Sequence, residues 1–413
     1  MMGNCKKENP LNLWLPLRSL LRNRRRSALS ITIIALGTAI SFFFLGYIQE
    51  SRSLIQQTTV NEFGNLQIAA SDLWEDTADG YTYLLSSDQV DAAEEVLSAD
   101  PSVVSSTAQL QFPGLVAAGD QSRVVRVTSL VPGNKALGYG DHVVAGRDLT
   151  KEDTAAVLVG RALADRLGLT PGSVITLTLT TVAGAYNATP LRVVGIFRFT
   201  SEQVELQTLF IPLSYAQLVL STPGVDRLIV KLDNIAATNS TRDRLQIALD
   251  NRALGLKVKT WDELSPFYRQ LSGLFNVLFG FIALATTVLV FFIILQVLTL
   301  AFLERTREIG TIRALGTTRG GVFRLLLAES AWLAVLGSLA GVAAGIVIAL
   351  AFNEVGIEWT PPGTLDPVIL TVRISLETAI GPLAVGLAAT LLSSLFPAVQ
   401  MSRLQVVDAL RVQ

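Results

Sequence analysis

A chain of 413 residues that is 50% hydrophobic and only 16% charged is too apolar for an ordinary soluble protein of this size. Its net charge of −1 provides no clustered cationic excess, which argues against a nucleic-acid partner. Its only cysteine, Cys5, excludes an intrachain disulfide, and with a single histidine, His142, the sequence predicts neither a metal site nor thiol chemistry.

Four apolar runs are long enough, and free enough of charge, to cross a lipid bilayer as helices. They cover residues 28–48, 273–303, 325–352 and 378–399. The first run follows a basic stretch, as a secretory signal does, but its apolar core is about twice as long as that of a signal peptide. We therefore predict a membrane protein with four transmembrane α-helices, the first of which is retained.

The arginines indicate the orientation of the chain. They precede the first span, follow the second and follow the fourth, whereas the short loop between the third and fourth spans is mainly acidic. Since cytoplasmic loops carry an excess of Lys and Arg, both termini are predicted to be cytoplasmic. The cytoplasmic parts are then residues 1–27, 304–324 and 400–413, and the parts outside are residues 49–272 and 353–377.

The insert between the first two spans, residues 49–272, mixes strand and helix patterns. Residues 173–182 and 227–232 alternate apolar and polar side chains as half-buried strands do, whereas residues 161–167 and 242–249 have helical spacing. We predict a large α+β extracytoplasmic domain inserted between the first and second spans. The pattern fits either one domain or two subdomains.

Segments that flank the first two spans also have helical character. Residues 10–22 suit an amphipathic helix that lies in the membrane interface. The second span has no charged residue over 274–303, a length that as helix reaches about 45 Å against a hydrocarbon core of about 30 Å. Helical stalks of this length, carrying the inserted domain, would act as a mechanical lever; the alternative is an ordinary tilted span.

Ionisable residues are almost absent from the spans. Only Glu329 lies within one, so the paired buried charges of a proton relay or an intramembrane hydrolase are missing. Glu329 is expected either to pair with an arginine such as Arg324 or Arg319, or to snorkel alone. No phosphate-binding loop occurs, so the chain is not a P-loop ATPase and is predicted to be neither an enzyme nor a cofactor-binding protein.

The third span contains three glycines at intervals of four residues, Gly337, Gly341 and Gly345. This spacing places them on one helical face and permits close contact with another helix. We predict a packing seam, and we prefer contact with a span of the same chain to a seam between two copies.

A short charged segment, residues 304–316, lies between the second and third apolar runs. Glu304 with Arg307 and Arg305 with Glu308 stand three residues apart and can pair along a short helix. An arginine cluster that only anchors the chain needs neither these glutamates nor the apolar turn after them, which favours a docking surface for a cytoplasmic partner. The predicted docking residues are Glu304, Arg305, Thr306, Arg307, Glu308, Ile309, Gly310, Arg313, Ala314, Leu315 and Gly316.

Three stretches of this sequence resemble a known family. They are E-R-T-R-E-I-G-T-I-R-A-L-G at 304–316, V-F-R-L-L-L-A-E at 322–329 and P-A-V-Q-M-S-R-L-Q-V-V-D-A-L-R at 397–411. Together they are similar to the FtsX-like permease subunits of the macrolide-exporter and lipoprotein-release group of ABC transporters. Weaker likeness extends through the insert, including Thr260 and Trp261.

The resemblance implies a multi-pass subunit of the bacterial inner membrane that pairs with a second permease copy or a homologous permease. Two copies of a cytosolic ABC ATPase would bind ATP and Mg²⁺, and each would receive residues 304–316 in a groove. Mechanotransmission to the outer domain would then release or export a substrate, with membrane lipids and a periplasmic adaptor or lipoprotein acceptor as further partners. Macrolide-exporter permeases usually carry a fused ATPase, which this sequence does not contain; together with the Thr260-Trp261 stretch, this favours the lipoprotein-release branch.

A second hypothesis keeps the ATPase without transport. In it, the outer domain is a signalling module that regulates a cell-wall hydrolase or a sensor kinase. An enzymatic function is the weakest alternative, because acidic pairs such as Glu94 with Glu95, or Asp76 with Asp79, have no nearby base, metal ligand or phosphate cradle.

Overall fold

The computed structural model describes residues 24–74, 81–134, 142–199, 202–359, 367–403 and 405. The predicted interfacial helix over residues 10–22 lies outside these residues, as do Asp76, Asp79 and the C-terminal tail from residue 406. The chain divides into two compact units. One holds the long apolar helices and is called the membrane unit; the other, called the head, consists mainly of residues 54–271.

The elements below are numbered along the chain. The helices are α1 (Arg24–Phe63), α2 (Ser87–Ala99), α3 (Arg161–Leu167), α4 (Glu202–Gln207), α5 (Leu213–Leu220), α6 (Thr238–Asn251), α7 (Trp261–Leu264), α8 (Pro266–Leu303), α9 (Thr306–Ala314), α10 (Arg319–Val355) and α11 (Leu376–Arg403). The strands are β1 (Leu66–Ala70), β2 (Val103–Gln109), β3 (Gln111–Ala118), β4 (Gln121–Leu130), β5 (Val143–Gly146), β6 (Ala156–Gly160), β7 (Val174–Thr180), β8 (Tyr186–Phe197), β9 (Thr208–Pro212), β10 (Arg227–Leu232), β11 (Leu256–Thr260), β12 (Glu358–Trp359) and β13 (Val368–Ile369).

Helices α1, α8, α10 and α11 are each long and apolar enough to cross a membrane. Each of the four predicted spans lies within one of them, and each helix extends beyond its predicted span. α8 begins at Pro266, where the missing N–H breaks no intrahelical hydrogen bond and the fixed φ angle suits a first turn.

Buried apolar clusters join the long helices. One cluster contains Ile34 of α1, Leu298 of α8 and Leu333 of α10. A second contains Phe42 of α1 and Ala349 of α10. α1 and α10 therefore pack along their length, and α8 joins them at the first cluster.

The head contains a four-stranded antiparallel sheet in the order β11-β1-β10-β2. α2 and α6 cover one face, and their buried side chains share an apolar core with that face. The chain runs β1-α2-β2 and, later, β10-α6-β11. The sheet is thus built from two split βαβ units, each with its two parallel strands separated by a strand of the other unit.

The strands from β3 to β9, which lie between β2 and β10 along the chain, form a second β-structure. Its strands follow the order β8-β6-β9-β4-β3-β7, and β7 pairs again with β8, so the six strands close into a barrel; β5 adds to β8. Ile175, Leu177 and Leu179 of β7 fill the barrel core, as their alternation predicts. Closure removes the free edges of these six strands.

A third cluster joins the two β-structures of the head. Every residue of β6 and β9 is buried, because each strand has one face in the barrel core and the other face in this cluster. Leu158 and Phe210 from the barrel meet Ile229 from the four-stranded sheet there. The head therefore has two sheets with separate cores, joined through apolar contact.

Candidate partner-docking segment

The 304–316 segment is a short helix held between two long ones. α8 ends at Leu303, α9 covers Thr306–Ala314, and α10 begins at Arg319. Gly316 turns the chain with a φ of +103°, a conformation that glycine adopts readily. The hydroxyl of Thr318 accepts a hydrogen bond from the backbone N–H of Gly321 and so caps α10. The segment is therefore a helix with defined ends.

One face of α9 is buried in the membrane unit. Thr306, Ile309 and Gly310 are all buried. Ile309 belongs to an apolar cluster formed by the ends of three long helices. Its other members are Phe302 of α8, Val322 and Leu326 of α10, and Ala398 and Met401 of α11. A force applied to α9 would therefore act on three long helices at once.

Arg305 ties the start of the segment to α10. Its Nη1 donates hydrogen bonds to both carboxylate oxygens of Glu329, at 2.7 and 2.8 Å, and its Nε donates to Glu308 at 3.0 Å. The Arg305 side chain is 16% exposed and that of Glu329 is 8% exposed, so water has little access to this pair. Burial favours the neutral guanidine, but the adjacent Glu329 carboxylate raises the pKa of Arg305, which stays charged.

The partner of Glu329 is therefore Arg305, whereas the sequence expectation named Arg324 or Arg319. Arg324 stands five residues before Glu329 on α10, about 140° around the helix, so the two side chains leave from different faces. Sequence reasoning identified the unusual carboxylate and missed its partner, because Arg305 lies 24 residues away and before a turn.

The opposite face of the segment is open. Of the predicted docking residues, the exposed ones are Glu304, Arg307, Glu308, Ala314, Leu315 and Gly316, whereas Arg313 is half-buried. Leu315 is 83% exposed. Of the two predicted ion pairs, Arg305 with Glu308 forms, whereas Arg307 pairs with no acidic side chain among the residues described. Charges of both signs beside one large apolar side chain suit a protein partner.

The three glycines of the third span face α1 of the same chain. A Cβ atom on Gly337 would lie 2.7 Å from Ile34 Cβ, and one on Gly341 would lie 2.6 Å from the carbonyl oxygen of Ala35. A Cβ atom on Gly345 would lie 2.8 Å from the ring of Phe42. Since each distance is shorter than a van der Waals contact, α1 and α10 can approach this closely only with glycine at these positions.

The described residues contain no group of three His, Cys, Asp or Glu side chains that could hold a metal ion. His142 is exposed and lies beside the ring of Phe199. Glu94 and Glu95 are exposed on α2, where Glu95 pairs with Arg252 at 2.7 Å. These side chains have the surroundings of ordinary surface charges.

Two protein families match this chain. Residues 27–248 match the MacB-like periplasmic core domain, and residues 280–406 match the FtsX-like permease C-terminal domain. The first match covers more than half of the chain, and the second contains the whole 304–316 segment.

Relatives of this chain include an ABC transporter permease and a lipoprotein-releasing system transmembrane protein. YvrN, an uncharacterized ABC transporter permease of Bacillus subtilis, is 24% identical over 289 residues, which are 66% of this chain and 66% of that protein. LolC of Xylella fastidiosa, a lipoprotein-releasing system transmembrane protein, is 23% identical over 432 residues, which are 98% of this chain and 100% of that protein. The chain thus spans 66% of the Bacillus permease and the full length of the Xylella protein.

Among solved structures, the extracellular domain of the ABC-type transporter YknZ from Gram-positive bacteria matches 48% of this chain and 100% of its own length. The identity is 15% and the TM-score is 0.35, so the assignment rests on the sequence matches. The chain belongs to the FtsX-like ABC transporter permeases that carry a MacB-like periplasmic core domain, and it is a membrane protein whose large extracytoplasmic domain follows its first helix.

Proposed function

We propose that this permease couples ATP hydrolysis by a separate cytosolic ABC ATPase to movement of its head, and that this movement extracts or exports a lipoprotein, a lipid or another amphiphilic substrate. The ATPase would bind ATP and Mg²⁺, and this chain would supply no catalytic residue. The arginine distribution supports an orientation with both termini, and therefore the 304–316 segment, on the ATPase side of the membrane.

The observation that carries the proposal is the two-sided construction of the 304–316 segment. Its outer face presents Arg307, Glu308 and Leu315. Its inner face is fixed to α10 through the Arg305–Glu329 pair and to α8, α10 and α11 through the Ile309 cluster. A partner that binds the outer face can therefore move the long helices without contacting them.

The lengths of the helices support mechanical coupling. α1 has 40 residues and α8 has 38 residues. At the helical rise these lengths correspond to about 60 Å and about 57 Å, against about 30 Å for a hydrocarbon core. Each helix is thus much longer than a hydrocarbon core is thick, which is what a lever that reaches the extracytoplasmic side requires.

Further partners follow from the surface of α8. Large apolar side chains such as Phe281, Leu289 and Phe292 are exposed within the single chain. Membrane lipids and a second permease, either a copy or a homologue, would cover them. The full-length likeness to a lipoprotein-releasing protein supports a lipidated substrate and, on the outer side, a periplasmic adaptor or lipoprotein acceptor.

The docking assignment is tested with a tagged full-length chain purified from its native membrane. We expect a P-loop ATPase in near-equal amount by mass spectrometry, and its loss when Arg307→Ala and Glu308→Ala are combined. The matched control is Arg324→Ala, which removes an exposed arginine of α10 outside the segment and should retain the ATPase.

Two results would contradict the proposal. An ATPase that remains bound and stimulated in the double variant would place its docking surface elsewhere. Recovery of an envelope hydrolase or a sensor kinase together with the ATPase, and with no lipid or lipoprotein release in reconstituted membranes, would favour the signalling alternative.

A further inference from the structure

The head contains a cavity of about 420 Å³ that no step of the proposed function uses. It lies between the barrel, the four-stranded sheet and the last turn of α1, and its volume is typical of small-ligand sites. Side-chain amides dominate its polar lining. They are those of Gln67, Gln109, Gln111, Gln203 and Gln207.

Two of these amides are joined to each other. Gln111 Nε2 donates a hydrogen bond to Gln109 Oε1 at 3.0 Å. Gln109 is only 2% exposed, yet its Nε2 has no hydrogen-bond partner among the described residues. Gln111 Oε1 likewise accepts no hydrogen bond from them. The pair therefore leaves one free donor and one free acceptor on residues that line the cavity, where a ligand can reach them.

The side-chain amide of the neighbouring Gln67 provides a comparison within the head. Gln67 Nε2 donates to the carbonyl oxygen of Phe63 at 2.8 Å, and Gln67 Oε1 accepts from Arg227 at 3.1 Å. Both ends of this amide are used within the protein. Gln109 and Gln111 differ because one end of each amide has no hydrogen-bond partner among the described residues.

The charges around the cavity compensate one another. Arg227 donates to both carboxylate oxygens of Asp226, each at 3.1 Å. Glu62 and Arg126, which both line the cavity, attract each other electrostatically. These opposite charges leave the lining without a net excess of either sign, so it favours a neutral ligand.

We propose that this cavity binds a neutral, extended peptide segment. A peptide unit carries an N–H and a C=O, the same two groups as a glutamine amide, so one unit can donate to Gln111 Oε1 and accept from Gln109 Nε2. The apolar part of the lining, which includes Phe63, Phe199 and Val204, receives an apolar side chain of the same segment. This site goes beyond the proposed function, because it does not depend on which partner binds the 304–316 segment.

The test uses the full-length permease in lipid nanodiscs and a fluorescently labelled short peptide of alanine, serine, glycine and leucine, acetylated at its N-terminus and amidated at its C-terminus. We expect saturable binding by fluorescence anisotropy. Gln109→Leu, which removes the free donor, should weaken binding about tenfold, as expected for one lost hydrogen bond. Gln207→Ala changes an exposed lining residue, so it leaves the core intact, and should also weaken binding.

The matched control is Gln121→Ala, which removes an exposed glutamine of β4 outside the cavity lining and should bind the peptide as the wild type does. Absence of saturable binding by the wild type would overturn the proposal. So would equal binding by the wild type, Gln109→Leu and Gln207→Ala. A neutral disaccharide such as chitobiose that binds in place of the peptide would show that the ligand class is wrong.

Discussion

Arg305 Nη1 donates to both carboxylate oxygens of Glu329 across 24 residues of sequence, and so joins the start of the 304–316 segment to α10. The residues of the 304–316 segment fall into two groups. Arg305 and Ile309 face the membrane unit, whereas Arg307 and Leu315 face outward. The motif is therefore an anchor and, as we propose, a docking surface, and the two roles can be removed separately by mutation.

Glu329→Ala should destabilise the permease strongly. It removes the buried partner of Arg305, which keeps its bond to the half-exposed Glu308, and breaking a buried pair typically costs about 3–5 kcal/mol. The measurement is thermal unfolding of the full-length chain in nanodiscs. Replacement of both partners, Arg305→Leu with Glu329→Leu, should recover much of the loss because no unpaired charge remains.

The control for this prediction is Glu308→Ala. Glu308 also accepts from Arg305, but its side chain is 46% exposed, so its loss should cost at most about 1 kcal/mol. If Glu308→Ala and Glu329→Ala lowered the unfolding temperature equally, the buried pair would have no special role.

Gly341→Ala should loosen the contact between α1 and α10. The added Cβ atom would lie 2.6 Å from both the Ala35 carbonyl oxygen and Thr38 Cβ, and overpacking of this kind costs roughly 1–3 kcal/mol. The measurement is again thermal unfolding in nanodiscs.

Gly280→Ala is the matched control for Gly341→Ala. No atom lies within 4 Å of a Cβ atom placed on Gly280, which is in α8, so alanine should be neutral or slightly stabilising there. Unchanged stability of Gly341→Ala together with a weakened permease pair would show that the glycine seam lies between two chains.

A strand can be predicted well from the sequence where only one of its faces is buried, and poorly where both of its faces are buried. Alternation identifies β7, because Ile175, Leu177 and Leu179 face the barrel core while the threonines between them do not. β6 lacks alternation because the barrel core and the cluster between the two β-structures bury both of its faces. Closure of the barrel by β7 and β8 depends on register, which no local pattern contains.

The candidate site shows the same limit. Local spacing is enough to predict the pair of Arg305 with Glu308 and the presence of a short helix. It cannot predict that Arg305 turns toward Glu329, or that Ile309 joins residues from three helices, because these contacts are long-range. The cavity lining in the head cannot be predicted from local spacing either, because its residues come from distant parts of the sequence.

Asp153→Asn should change the pH dependence of the stability of the head. Hydrogen bonds from Arg147, at 2.6 and 2.7 Å, hold the pKa of Asp153 well below its ordinary value. As the pH falls through about 4, the unfolded chain therefore takes up this proton before the folded chain does. The stabilisation by Asp153 is fully present above that pH and is lost as the pH falls further, toward the folded-state pKa.

The measurement is the difference in Tm between the wild type and Asp153→Asn across a pH series. The difference should be largest near neutral pH and should shrink below about pH 4. Asp120→Asn, at an exposed turn, serves as the control and should give a small difference at every pH. A difference for Asp153→Asn that stayed constant through the acid range would refute the role assigned to Arg147.

Leu315→Ala should weaken binding of the ATPase without weakening the permease itself. Leu315 is 83% exposed, so it contributes little to the packing of its own chain, and Tm should not change. If Leu315 enters an apolar pocket of the partner, its truncation should weaken binding roughly tenfold, equivalent to about 1.4 kcal/mol. Titration of the purified ATPase onto the permease in nanodiscs measures this effect.

Leu218→Ala is the control for this prediction. It removes a leucine that is 70% exposed in the head, and this variant should bind the ATPase normally. Normal binding by Leu315→Ala, combined with loss of binding when Arg307→Ala and Glu308→Ala are combined, would mean that the docking surface is polar alone.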